Sequence, residues 1–388
     1  MIIKIFFWIS ALLIMHTYVV YPVLLLVLDK MFKKININRT EDYTPGVSVL
    51  MAVHNEENVI RKKIESLLHS DYPVDRLEIL VGSDSSNDGT VEILNELKES
   101  FSSLKVIIFK DRIGKPAAIN RLLTEAKGEI VIITDANVFP ERTTILTLVR
   151  NFSDKSIGLV DTRLVNTGIK KDGISLPEMA YINVESKLKN IEGRLWGKMM
   201  GPFGGFYAFR RDSYEPNSGN ILADDFRICM NVIRKRQKAI SDTKAIVNED
   251  VSNNLRDEFY RKVRISAGNF QNLRHFAFLL LRPFSIWSFC FVSHKLIRWI
   301  TPFLWFIVIV TNILLINDSF FFLLLIFLQV IFLLLPAFDL FLKKFNIHLV
   351  LLRFFTHLYF MNIALFFGFI KYLGGIRTGA WTPTKRYQ

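Results

Sequence analysis

The chain has 388 residues, enough for one large domain or two, and 51% of them are hydrophobic, with 34 Phe. The apolar excess lies toward the two ends and the charge in the middle, which excludes an ordinary soluble globule and is a membrane protein's layout. A net charge of +13 suits juxtamembrane Lys and Arg facing anionic lipid, and also phosphorylated ligands. No basic run interleaved with aromatics points to nucleic acid, and the isolated Cys229 and Cys290 suggest neither a disulfide framework nor a zinc site.

In chain order, Ile2 to Leu28 is apolar apart from Lys4, Ser10, His16 and Thr17, long enough to cross a hydrocarbon core of roughly 30 Å. It exceeds a short signal core and no small-x-small cleavage pattern closes it, so an anchor over residues 1–30 is expected. Lys30, Lys33, Lys34 and Arg39 follow it against Lys4 before it, which places the central region in the cytoplasm. Gly46 to Val53 then reads as a buried strand, and Val59, Ile64, Leu67 and Leu68 repeat at helical spacing. Leu77 to Val81 reaches Asp84 and feeds a helix from Val91 to Leu97, with Ser86, Asn87 and Asp88 available as caps. Lys105 to Phe109 is a third strand, Ala117 to Ala126 a helix, and the β-branched run Ile130 to Ile133 a fourth strand. Strand and helix alternate, which implies a doubly wound parallel sheet.

The polar residues gather where such a sheet holds ligands, at the strands' carboxyl ends: His54, Asn55 and Glu56 after strand one, Asp84 after strand two, Asp135 and Asn137 after strand four. An isolated D-x-N turns a chain as readily as it binds a cation and a diphosphate, and at this point both readings stand. Neither G-x-x-x-x-G-K-[ST] nor G-x-G-x-x-G occurs here, which argues against ATPase and dehydrogenase chemistry.

VSVLMAVHNEE from Val47, DSSNDGT from Asp84, GKPAAIN from Gly114 and GEIVIITDAN from Gly128 together resemble the nucleotide-sugar half of family 2 glycosyltransferases. The membrane segments are arranged as in the poly-N-acetylglucosamine, hyaluronan and cellulose synthase relatives. The resemblance runs from Val47 to about Gln271. It implies an α/β GT-A nucleotide-sugar-binding domain with a mostly parallel sheet, plus α-helical transmembrane segments. It also implies inversion at the sugar carbon and a divalent cation, Mg²⁺ or Mn²⁺. On the matching positions it makes Ala52, His54 and Glu56 donor contacts, Asp84 the uracil-binding carboxylate, Lys115 a donor-side lysine and Asp135 the metal ligand. Asn137 stands where the family carries a second aspartate or histidine.

Further along, the glycines of MMGPFGGFYAFRR from Met199, Gly204 and Gly205 among them, resemble an acceptor-side loop. ADDF from Ala223 falls at the family's x-E-D triplet, so Asp225 is the expected general base and Asp224 the acidic neighbour on the acceptor side. Arg261 and Arg264 fall at the Gln and Arg of a Q-x-x-R-W motif and Ile265 at its Trp. Arg264 is the expected clamp on the leaving diphosphate, and the departures put processive synthesis in doubt. WTPTKR from Trp381 resembles a C-terminal motif of the same relatives, with Trp381 on the acceptor side; an interfacial Trp with basic anchors explains the string equally well.

Leu296 to Ile316 and Phe320 to Leu342 read as strong spans, and Leu349 to Tyr372 as a weaker one carrying Arg353 and His357. Phe276 to Phe291 mixes Arg282 and Pro283 with aromatics and suits a helix lying in the interface. The expected division is therefore an anchor at 1–30, a catalytic domain at 44–271, an interfacial helix at 272–294, a membrane bundle at 295–375 and a basic tail at 376–388. Three later crossings would leave that tail outside, whereas Arg377, Lys385 and Arg386 favour the inside. The expected function is transfer of a sugar from a UDP-sugar to a polysaccharide or glycan at a bacterial-type cytoplasmic membrane, with lipids and export or assembly proteins as partners. The alternatives are single-sugar transfer to a polyprenyl phosphate or lipid-linked unit, and a non-catalytic nucleotide-binding membrane subunit.

Overall fold

The computed structural model describes residues 1–169 and 173–380. The chain divides into two compact units. A sheet unit comprises Met31–Gly168, Glu185–Asp250 and Ile376–Gln388, and a membrane unit Met1–Lys30, Ile169–Val184 and Val251–Gly375.

The described residues of the sheet unit form eight strands: β1 (Val47–Val53), β2 (Leu77–Asp84), β3 (Leu104–Phe109), β4 (Ile130–Thr134), β5 (Val138–Pro140), β6 (Ile157–Thr167), β7 (Phe206–Arg210) and β8 (Lys238–Asp250). Their order is β3-β2-β1-β4-β7-β6-β8-β5. The first four run parallel, with Val47 opposite both Leu77 and Ile130, so their carboxyl ends share one edge. Every residue of β1 and β4 is buried, as strands covered on both faces require. Each fully buried Val or Ile there contributes about 1.5–3 kcal/mol. The helices Ile60–Leu68, Thr90–Ser100 and Lys115–Glu125 alternate with these strands.

Beyond β4 the pattern changes. β7 runs antiparallel to β4 and β6, β8 runs parallel to β6, and β5 closes the edge antiparallel to β8. Four of the seven pairings are parallel, and the sheet is mixed.

Among the described residues of the membrane unit, four helices are long and apolar enough to cross a membrane: Ile2–Met31, Ile286–Leu314, Phe320–Lys343 and Val350–Leu373. Between residues 272 and 294 lie a 3₁₀ turn, Ala277–Leu281, and the first residues of the helix that begins at Ile286. The helix Leu255–His275 opens with Asn254 accepting from the Arg256 N–H at 2.9 Å. It packs on Val350–Leu373, where Ser266 Oγ donates to Leu365 O at 2.8 Å and Gly368 leaves room for Ser266. Glu178 is fully enclosed between Lys262 Nζ and His357 Nε2, each 2.8 Å from one of its oxygens. Lys262 also lies 3.4 Å from Glu258.

Candidate active site

The carboxyl ends of β1 and β2 are laced together. Asn55 takes a positive φ of 55° and donates from its side chain to Asn87 Oδ1 at 2.7 Å. The Glu56 N–H donates to Thr90 Oγ1 at 2.8 Å, and the Glu57 N–H to Asp88 Oδ2 at 3.2 Å. Asp88 Oδ1 also accepts the Thr90 N–H at 3.0 Å, at the first residue of the helix that follows. Ala52 is the buried penultimate residue of β1, and His54 Nδ1 hydrogen-bonds to the Asp84 carbonyl at 2.9 Å. The Asp84 carboxylate is fully buried and accepts the N–H groups of Ile113 (2.7 Å) and Gly114 (3.1 Å). It thereby ties the β2 end to the start of the helix that carries Lys115.

Lys115 Nζ lies 2.6 Å from Asp135 Oδ1. Burial alone would weaken the ammonium, but Asp135, Asp224 and Asp225 together hold its pKa above the ordinary lysine value. Asp135 keeps 39% of its side chain exposed, its N–H donates to Gly205 O at 3.0 Å, and Asn137 is partly buried two residues on.

The acid pair opens the helix Asp224–Arg234. Burial, then the charge of Asp224, raises the pKa of Asp225 above the ordinary carboxylate value, against the pull of the Phe226 N–H, Lys115 and Lys189. Gly204 adopts φ +95°, and a Cβ there would stand 2.3 Å from Asp225 Oδ2. Glycine adopts that dihedral without steric cost, and any side chain there would push the Asp225 carboxylate aside. The structure thus gathers Lys115, Asp135, Asp224, Asp225 and the Gly204–Gly205 turn, drawn from four separate stretches of sequence, in one place.

Two further expected residues belong to the other unit, and a third is not described. Arg261 and Arg264 are on Leu255–His275 of the membrane unit, where Arg261 is 3.3 Å from Glu258. Trp381 lies outside the described residues.

Four contributors escaped the sequence reading. Lys63 is fully buried and donates to Thr134 Oγ1 at 2.9 Å and to Val138 O, bracketing the Asp135 loop from below. Burial lowers its pKa to about 7 despite Asp135. Its signal was positional, since it shares the apolar stripe of Ile60, Ile64 and Leu67. Asp161 accepts the Phe203 N–H at 2.8 Å and so holds the glycine loop; burial raises its carboxyl pKa to about 7. Lys189, 5% exposed, acts electrostatically on both Asp161 and Asp225. The Tyr207 hydroxyl is buried without a hydrogen-bond partner, in the field of Asp224, Asp225 and Asp135.

A mixed sheet whose parallel half ends in polar loops, with acids where an antiparallel half joins it, is the GT-A arrangement of nucleotide-sugar enzymes. A mannosyltransferase from Pyrobaculum calidifontis, solved with GDP-Man and Mn²⁺, superimposes with a TM-score of 0.70, covering 95% of this chain and 99% of that one at 22% identity. Residues 48–216 match the family model for glycosyl transferase family 2. The probable glycosyltransferase YdaM of Bacillus subtilis is 32% identical over 199 residues, which is 48% of this chain and 46% of that protein. The β-monoglucosyldiacylglycerol synthase of Trichormus variabilis is 32% identical over 143 residues, 36% of this chain and 31% of that one. The chain thus spans less than half the length of these curated relatives.

Proposed function

We propose that this protein transfers a sugar from a nucleotide-sugar, a UDP-sugar by its motifs, to a glycan or lipid-linked acceptor in a single inverting displacement. One observation carries the reading: Asp225, partly buried and raised in pKa, faces the bare backbone of Gly204 within the same cluster as Lys115 and Asp135. A carboxylate so placed takes the acceptor's hydroxyl proton as that oxygen attacks the anomeric carbon. The bond from that carbon to the diphosphate breaks on the opposite face, and its electron pair leaves with the diphosphate.

Among the described residues no three His, Cys, Asp or Glu side chains form a metal cage. That suits Mg²⁺ or Mn²⁺, which bind through one or two carboxylates and substrate phosphates while keeping several waters. Asp135, partly exposed and followed by Asn137, would hold such an ion, which neutralises the departing diphosphate when bound. Lys115 then adds its own charge beside Asp135.

A lipid acceptor is favoured over a long polymer by the missing Gln and Trp of the Q-x-x-R-W motif. The likeness to a protein whose name makes its product a glucosylated diacylglycerol supports the same choice. The catalytic unit faces the cytoplasm in this reading, on the strength of Lys30, Lys33 and Lys34. Asp225→Asn in purified protein is the test: transfer should be lost and binding of labelled UDP or GDP kept. Retained transfer rules out this base, and mass spectrometry of products from UDP- and GDP-sugars identifies donor and acceptor.

A further inference from the structure

The four helices apolar enough to cross a membrane do not all cross it, because two sets of contacts fix where the chain must be. In the membrane unit, Lys4 Nζ lies 2.8 Å from Asp318 Oδ2, and Phe7 packs with Leu315 and Phe322. At the other half of the first helix, His16 Nε2 is 2.9 Å from Ser293 Oγ, and Tyr21 packs against Phe289 and His294. Ile2–Met31 and Ile286–Leu314 are therefore antiparallel. The turn at residues 317–319 lies at the Lys4 end, on the membrane face opposite the one reached at Met31.

In the sheet unit, the tail returns to the fold. The Gly379 N–H donates to Gly219 O at 2.8 Å, Asn220 Nδ2 donates to Ile376 O at 3.1 Å, and a Cβ on Gly114 would stand 2.8 Å from the Gly379–Ala380 backbone. Residues 376–380 thus share a membrane side with the rest of that unit, the side the chain enters after Met31. Between residue 319 and Ile376 the chain makes one net crossing, with two helices available for it.

We propose that Phe320–Lys343 makes this crossing, and that Val350–Leu373 lies within the leaflet on the sheet unit's side with its apolar face against lipid acyl chains. Phe320–Lys343 has the highest mean hydropathy of the four and Val350–Leu373 the lowest. The former ends in Lys343 and Lys344, which places cations on the same side as Lys30, Lys33 and Lys34. The latter runs beside Leu255–His275 for about three turns: Phe259 meets Phe360 and Phe367, Ser266 bonds to Leu365, and Phe270 meets Phe369. Leu255–His275 carries Arg256, Asp257, Glu258, Arg261, Lys262, Arg264 and Arg274, a load that hydrocarbon does not accept. A helix fastened along it stays near its depth. Leu351, Phe354, Phe366, Ile370 and Leu373 are exposed on that helix, while Arg353 and His357 turn inward onto Asp339 and Glu178. Such an inside-out face suits burial in one leaflet.

The assignment also removes the conflict over Arg377, which now lies with the other cations. Single cysteines in the full chain, with Cys229 and Cys290 replaced by Ser, test it through a membrane-impermeant maleimide on intact and permeabilised cells. Ser319→Cys should react on one face, and Lys344→Cys and Arg377→Cys both on the other, whichever face is cytoplasmic. Lys344→Cys reacting with Ser319→Cys would make Val350–Leu373 the crossing helix and overturn the proposal. Arg377→Cys reacting on the Ser319→Cys face would overturn the count of crossings. Neither outcome bears on whether the enzyme transfers sugar.

Discussion

Two clusters of buried charge in this chain are built to opposite ends. Around Glu178 a buried acid meets Lys262 and His357 at 2.8 Å each. Burial works against its ionisation, but those partners outweigh it and hold its pKa well below the ordinary glutamate value. Around Asp225 a partly buried acid meets one peptide N–H, two more distant lysines and a second, buried aspartate, and its pKa rises. Desolvation has the same sign in both places. What differs is how many directed partners answer it, so the first cluster is spent on stability and the second is left with a base able to accept a proton.

The largest break in that comparison is Asp225→Asn, expected to lower turnover by about 10²–10⁴-fold, the usual share of a positioned base, with the fold intact by circular dichroism. Since the Asp225 carboxyl is raised, transfer should fall on acidification at a higher pH than an ordinary carboxylate would give, read from the acid limb of the rate profile. Glu178→Ala should do the reverse. It leaves Lys262 buried with Glu258 alone, so a loss of about 3–5 kcal/mol is expected, seen as early thermal aggregation in detergent, with residual activity per folded molecule preserved. Glu178, with its pKa depressed, contributes fully above the unfolded value of about 4.3 and loses that contribution only below it.

Gly204→Ala forces a side chain into a left-handed backbone and against Asp225. Strain of about 1–3 kcal/mol should appear mainly in kcat, with nucleotide affinity unchanged by titration. The last break concerns stability and belongs to Asp161. Its folded pKa of about 7 exceeds the unfolded value of about 3.9, so its cost to stability grows as pH rises through that window and is complete above it. Asp161→Asn should match the wild type near pH 4 and exceed its stability at pH 8, by about 1 kcal/mol or more. Melting curves at both pH values check this.

The parallel half of the fold was legible because strands covered on both faces are written as unbroken apolar runs, VSVLMAV and IVIIT. The antiparallel half was not. β6 carries Asp161 and Arg163, and β8 carries Asp242, Lys244, Glu249 and Asp250, so neither shows the run or the alternation by which a strand is recognised. The acids of the site were singled out by the resemblance of their motifs, since a carboxylate at a strand end or helix start serves a turn or a cap equally well. The lysines were missed. Lys63 and Lys189 stand in helices where a charged residue ordinarily faces water, and only the packed fold shows them turned inward.

The buried Asp84 carries a last consequence. A carboxylate sealed from solvent, with one oxygen on the Ile113 N–H and the other on the Gly114 N–H, is committed to shaping a peptide loop. The backbone that leads into Lys115 is therefore held from within the fold, by a side chain that solvent does not reach. Asp84→Asn, which keeps the shape but gives up one acceptor, should loosen that loop and displace Lys115, read as faster amide exchange at Ile113 and Gly114.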